Sequence, residues 1–271
     1  AGNQSSTSNT ALGNGVLSNN VSGISNAAVG INAMLYNTTG SLNTALGAYA
    51  MVQNTTGGAN SAFGHFALNM NTTGSANTAI GIDVLRNNST AGNNTGVGSA
   101  SLFSTTTGGR NTALGFNTLY SNTNGSFNTA VGTNALTSGN GSNNTALGSG
   151  ALLNNTASNN TAVGYEAGYS NTSGTGLTII GYGAGYSNGT SNNNTAIGYL
   201  SLTSNTASNN TAVGFEAGYS NTSGSVTALG YQTLKNITTG SSTSLGSQAS
   251  LILTTGILNV SVGANSNFLT S

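Results

Sequence analysis

The chain has no cysteine, no proline and no tryptophan, and only 2% of its residues carry charge. Without cysteine there are no disulfides and no thiolate metal sites. Without proline every residue keeps its backbone N–H, which suits uninterrupted strand ladders. The six charged residues are Asp83, Glu166, Glu216, Arg86, Arg110 and Lys235, and they cancel to a net charge of zero. Three basic residues cannot neutralise a row of phosphates, so nucleic-acid binding is excluded as a partner class. The same shortage excludes electrostatic docking to a membrane surface. No apolar run nears the roughly 20 residues of a membrane span, so membrane insertion is not expected.

What fills the chain is repetition. Asn-Thr-Ala-Leu-Gly, or a close variant, recurs sixteen times at a spacing of 16 or 17 residues, from Asn9 to Gly263. Periods of this kind belong to stacked coils, in which each unit contacts mainly its neighbours. Two helices do not fit in 17 residues, and Asn, Thr and Gly are poor helix formers. The expected fold is therefore all-β, a parallel β-solenoid (β-roll) of about sixteen 16–17-residue coils, forming a single repeat domain over 1–271.

The fourth phrase position is apolar throughout: Leu12, Val29, Leu46, Phe63, Ile80, Val97, Leu114, Val131, Leu147, Val163, Ile180, Ile197, Val213, Leu229, Leu245 and Val262. Hydrophobicity alone makes this the core column. Strand alternation then turns the second position, usually Thr, inward with it and the third position outward. That third position is almost always Ala, Gly or Ser, so Ala45, Ala79, Ala113, Ala130 and Ala162 become candidates for contact with another chain or another layer of the same chain. A second apolar patch, such as Ala33-Met34-Leu35, reads as a second short strand, with Gly/Asn corners between. Asn occupies the first position in thirteen units and is placed to hydrogen-bond from coil to coil. Residues 155–174 and 205–224 differ only at Tyr165 against Phe215, an in-register duplication by three coils.

The phrases Asn43-Thr44-Ala45-Leu46-Gly47 and Asn160-Thr161-Ala162-Val163-Gly164-Tyr165-Glu166-Ala167-Gly168-Tyr169 carry a resemblance. They resemble the β-roll head repeats of trimeric autotransporter adhesins, and similar repeats of phage tail fibres and bacterial surface proteins. The units here are longer than the adhesin head repeat, and no heptad stalk accompanies them. The resemblance implies a parallel β-roll and an adhesin or fibre role. It also implies a trimer that packs on its small-residue column.

Candidate chemistry is sparse, and no catalytic, cofactor or metal site is expected. Glu166 and Glu216 share a column three coils apart, about 14 Å, whereas a glycosidase pair needs about 5–9.5 Å. His65 has no companions at metal-ligand spacing, and one Asp cannot supply a calcium β-roll. Tyr165, Tyr182, Tyr199, Phe215 and Tyr231 follow the phrase glycine on five consecutive coils, either a stiffening aromatic ladder or a strip for carbohydrate or a host surface. Tyr169, Tyr186 and Tyr219 form a second row. The sequons at Asn37, Asn54, Asn71, Asn171, Asn221 and Asn236 are candidate glycosylation sites.

Three functions fit. The first is a non-enzymatic structural subunit of an extracellular or cell-surface fibre, a homopolymer assembled by end-to-end stacking of solenoids. Neither terminus brings the charge or proline that blunts a strand edge. The second is a trimeric adhesin head or phage tail-fibre segment that binds a surface ligand. The third, an ice-binding protein, needs an outward threonine row, and is disfavoured while that row is assigned to the interior.

Overall fold

In the computed structural model of the protein the described residues are 8–256 and 258–267. The fold is all-β, a parallel β-solenoid with about 17 residues per turn, and no helix forms among the described residues. The chain, read above as one domain over 1–271, divides into two compact units, Ala1–Ser142 and Asn143–Ser271. The first unit carries β1 (Thr10–Leu12), β2 (Ala27–Val29), β3 (Thr44–Leu46), β4 (Ser61–Phe63), β5 (Thr78–Ile80), β6 (Thr95–Val97), β7 (Thr112–Leu114) and β8 (Thr129–Val131). The second carries β9 (Thr145–Leu147), β10 (Thr161–Val163), β11 (Thr178–Ile180), β12 (Thr195–Ile197), β13 (Thr211–Val213), β14 (Val226–Leu229), β15 (Ser242–Leu245) and β16 (Asn259–Val262). Within each unit every strand pairs in parallel with the next, and equivalent phrase positions lie opposite: Ala45 faces Ala62, and Ala162 faces Ile179.

One strand per coil is observed, not two. The second apolar patch is bent by left-handed residues, for example Asn32 at φ 54° and Met34 at φ 53°. Its backbone still bonds from coil to coil, as in Met34 N–H to Ala50 O at 3.0 Å and Tyr36 N–H to Val52 O at 2.9 Å. Coil-to-coil pairing thus continues where strand geometry stops. The phrase glycine is required on two grounds. Gly47 sits at φ 144°, and a Cβ on it would come within 2.5 Å of the carbonyl oxygen of Gly64. Few L-residues adopt that φ, and none fits that gap.

The parity of the strand is the reverse of the sequence expectation. The proposed core column faces out: Leu12, Leu46, Ile80, Leu114, Ile180, Leu245 and Val262 are exposed. Val29, Phe63, Val97, Val131, Leu147, Val163, Ile197, Val213 and Leu229 are half-buried, and none of the sixteen is buried. The alanines assigned to an interface between chains line the interior instead. Ala45, Ala79, Ala113, Ala130 and Ala162 are at most 1% exposed.

The reason is the width of the coil. The interior is filled from the opposite wall by a column that includes Met34, Met51, Leu68, Leu85, Leu102, Leu119, Leu136 and Leu152, all fully buried. Each such side chain contributes about 1.5–3 kcal/mol by leaving water. A Cβ built on Gly96, in the alanine column, would lie 3.5 Å from Leu102 Cδ1 and only 2.6 Å from Val84 Cγ1. The facing wall is therefore one methyl away, and a leucine has no room. The exceptions follow the same rule. Where Val84 thickens the wall, the alanine becomes Gly96. Where Gly168 and Gly185 thin it, Ile179 takes the space, its Cδ1 3.1 and 2.8 Å from where their Cβ atoms would be.

Because room, not hydrophobicity, decides the parity, Ala113→Leu should cost about 1–3 kcal/mol through overpacking. Leu114→Thr, at the outward neighbour, should cost less than about 1 kcal/mol, in line with exposed substitutions. Urea denaturation of both variants checks this, and a larger loss for Leu114→Thr would restore the original parity.

Candidate functional site

Two asparagine columns are buried on the interior side of the corner. In the first, the phrase Asn accepts at Oδ1 from the backbone N–H of the equivalent Asn one coil on. Asn43 N–H donates to Asn26 at 3.0 Å, and Asn60 N–H to Asn43 at 2.9 Å. In the second unit Asn160 N–H donates to Asn144 at 3.0 Å, and Asn210 N–H to Asn194 at 2.9 Å. In the second column the amides bond to one another: Asn54 Nδ2 to Asn37 Oδ1 at 2.7 Å, and Asn71 Nδ2 to Asn54 Oδ1 at 2.7 Å. The two columns meet at the corner carbonyl. Gly57 O accepts from Asn43 Nδ2 at 2.8 Å and from Asn54 Nδ2 at 3.0 Å.

This second column holds five of the six candidate glycosylation sites. Asn37, Asn54, Asn71, Asn171 and Asn221 are completely buried, and their amide nitrogens are committed to the ladder. A glycan has no access to them. Asn236 is exposed, and its amide donates to Leu251 O at 2.8 Å.

Where the ladder is interrupted, the loose ends are visible. Asn88 Oδ1 should accept from the next coil, but Thr105 stands there, and both Asn88 Oδ1 and Thr105 Oγ1 are buried without a partner. Asn221 Oδ1 is likewise orphaned, since Ile237 follows it in the column.

The aromatic row is a ladder. Tyr165, Tyr182, Tyr199, Phe215 and Tyr231 stack at centroid spacings of 5.1–5.3 Å with planes within 17° of parallel. Stacked in this way, the rings cover one another's faces along the row while each residue stays exposed to solvent. In the second row Tyr169 and Tyr186 stack at 5.1 Å, and Thr203 separates them from Tyr219. His65 packs on Phe66 with centroids 4.0 Å apart.

The charged side chains work singly or in local pairs. Arg86 bonds Asp83 at 3.1 Å and lies 4.4 Å over the Phe66 ring. Glu166 and Glu216 are not brought together, since Gly183 and Leu200 lie between them in the column. Glu216 instead meets Lys235 Nζ at 2.6 Å and accepts from Gln232 Nε2 at 2.9 Å. The Lys235 hydrogen bond holds the Glu216 carboxyl below its usual pKa, against partial burial, which acts in the opposite direction. The hydroxyl of Tyr165 is held above its usual pKa by its hydrogen bond to Glu166. Among the described residues no three His, Asp or Glu side chains gather as a metal site would require.

The remaining surface of interest is the outer face of the sheet. The second-position row runs Thr78, Thr95, Thr112 and Thr129 in the first unit, and without interruption from Thr145 to Thr243 in the second. These side chains are exposed or half-buried. Beside them runs the outward aliphatic row. The sequence reading missed this face because it placed both rows inside. Comparison with protein-family profiles, with curated proteins and with solved structures returns no match.

Two outcomes test the ladder and its charged neighbour. Thr105→Asn should supply the missing donor to Asn88 and raise stability by about 1–3 kcal/mol, the cost of an unsatisfied buried group. Asn54→Ala should lower it by at least as much, because Asn37, Asn71 and Gly57 each lose a partner; chemical denaturation reads both. Since its folded pKa is lowered, Glu216 contributes stability that is present above the ordinary carboxylate pKa and lost as pH falls through the folded value. Melting curves from neutral to acid pH should show that loss in the native chain and not in Glu216→Gln.

Proposed function

We propose that this chain is a non-enzymatic structural element of a fibre outside the cell or on its surface, and that solenoids of successive copies stack end to end. One observation carries the reading: within each unit the backbone ladder repeats with the same register from coil to coil, and the asparagine ladder follows it wherever asparagine occupies the column. A coil built this way is stabilised by any coil of the same kind, whether from its own chain or from another. Strand edges that offer unpaired N–H and C=O groups are templates for such pairing, and a head-to-tail contact that does not close yields a filament. Near-absence of charge removes the usual electrostatic barrier to association.

The adhesin or tail-fibre reading drew its trimer from an exposed small-residue column. That support is lost with the alanines inside. Electron microscopy and light scattering of the purified chain discriminate the two. Filaments whose length grows with concentration, with an axial repeat that is a multiple of about 4.8 Å, are expected. A discrete monomer or trimer at high concentration would sink the fibre reading, and the trimer would favour the adhesin or tail-fibre one.

A further inference from the structure

We propose that the outward threonine–aliphatic face of the sheet binds the surface of ice. The threonine columns of the solenoid differ in what their hydroxyls do. In the corner column the hydroxyls are engaged: Thr38 donates to Thr55 O at 2.9 Å, Thr55 to Thr72 O at 2.9 Å, and Thr222 to Thr238 O at 2.7 Å. In the strand column no described hydroxyl from Thr44 to Thr243 bonds to protein. The Thr38–Thr55–Thr72 corner column ties coils together; the strand threonines, like the exposed corner threonines Thr39, Thr56 and Thr73, offer their hydroxyls to solvent, but only the strand row is held in the sheet beside an aliphatic row.

Those free hydroxyls are also fixed in space. Threonine is stiff at χ1, and each one stands on a strand whose register is held by the sheet within its unit. Along the stack they repeat at the strand spacing, about 4.8 Å, and along the strand the outward aliphatic side chain follows two residues on, about 6.6 Å away. The face therefore presents a two-dimensional array in which hydroxyl and methyl groups alternate with aliphatic side chains. No charged residue occupies either row, since all six lie at other positions of the coil.

The chemistry of the array selects its ligand. A small molecule is held by a concave pocket with converging polar groups, and outward side chains repeating along a sheet do not converge in that way. A folded protein partner is met by large aromatic and charged anchors that fill pockets, and rows of threonine and mostly aliphatic side chains without charge supply few of these. Ice is uncharged, periodic in two dimensions, and exposes only water donors and acceptors. Many equal, weak contacts at fixed spacing match it, and methyl groups between the hydroxyls hold the adjacent water without a charge to disorder it. The expectation that threonine faced inward had counted against this ligand, and the observed parity removes that objection.

Ice-recrystallisation and freezing-hysteresis measurements on the purified full chain test it. The native protein should slow recrystallisation and open a hysteresis gap. Thr112→Lys with Thr129→Lys, and Thr195→Lys with Thr211→Lys, should abolish both effects while circular dichroism and the melting temperature stay close to native. Thr56→Lys with Thr73→Lys, on the exposed corner, should retain them. A cooperatively folded native chain with neither effect overturns the proposal, as does equal loss in face and corner variants. Binding to crystalline cellulose or chitin without an effect on ice, or self-association blocked by the face variants without an effect on ice, assigns the face to that other occupant and overturns it too. Filament formation is scored separately by microscopy, so failure here leaves the fibre reading to stand or fall alone.

Discussion

The whole coil depends on the corner carbonyl that accepts two asparagine amides. Gly40, Gly57, Gly74 and Ala91 each take one hydrogen bond from the phrase asparagine 14 residues before them and one from the asparagine three residues before them. A carbonyl has two lone pairs, and here both are filled by groups that would otherwise be buried without partners. Burying an unpaired amide costs several kcal/mol on transfer scales. Two such columns inside one narrow coil are tolerable only because they satisfy each other and the backbone. The arrangement is all-or-nothing in character: it closes the corner in one register only, and a slip by one residue would leave both columns unpaired. The solenoid therefore obtains specificity from polar groups, where most folds rely on a large apolar core.

A polar corner leaves little interior for hydrocarbon. In the coil from Thr44 to Asn60 the side chains no more than 1% exposed are Ala45, Ala50, Met51, Asn54 and Asn60, with Val52 buried at their margin. One long apolar residue, two alanines and two asparagines fill the cross-section. Packing at crystal-like density leaves no slack for a further methylene, so the strand turns its smaller residue inward and its larger one out. The paired exceptions, Gly96 opposite Val84 and Ile179 between Gly168 and Gly185, keep the cross-section filled while its composition changes. Adjustment of that kind is expected of a tightly packed interior and would have no purpose at a solvent-facing column.

The repeat made the period, the phrase strand and the parallel stacking legible, though not the bend at the second apolar patch, because glycine punctuation and an unbroken apolar position recur in phase. The aromatic ladder was legible too, since Tyr165 to Tyr231 occupy one column on consecutive coils. The parity was not, because hydrophobicity ranks Leu above Ala and says nothing about how wide the interior is. The buried asparagines were misread for a related reason: Asn-Thr-Thr is a sequon as a string and a ladder rung as a structure. A usable signal did exist. The left-handed columns, for example Leu68, Leu85, Leu102, Leu119 and Leu136 at φ 50–54°, contain no Val, Ile or Thr, in a chain that uses all three freely elsewhere. Branching at Cβ is badly tolerated at positive φ, so a column of Leu without Val or Ile marks a bend, not a strand. With Met34 and Leu68 recognised as bends that point their side chains inward, the alanine would have been the only residue left to face them.

That division also locates where function can reside. Inward positions are bound by volume and by paired amides, and their variation is compensatory. Outward apolar positions change freely among Leu, Val, Ile and Phe, as Leu46, Phe63, Ile80 and Val97 on β3 to β6 illustrate, while the threonine beside them changes far less. Strand propensity alone would accept Val, Ile or Tyr at that exposed position as readily as Thr. Packing does not fix it, because its side chain meets no facing wall, and hydrogen bonding does not fix it, because its hydroxyl has no protein partner. The steadiness of a residue that the fold leaves unconstrained points outward, to whatever meets that face of the sheet.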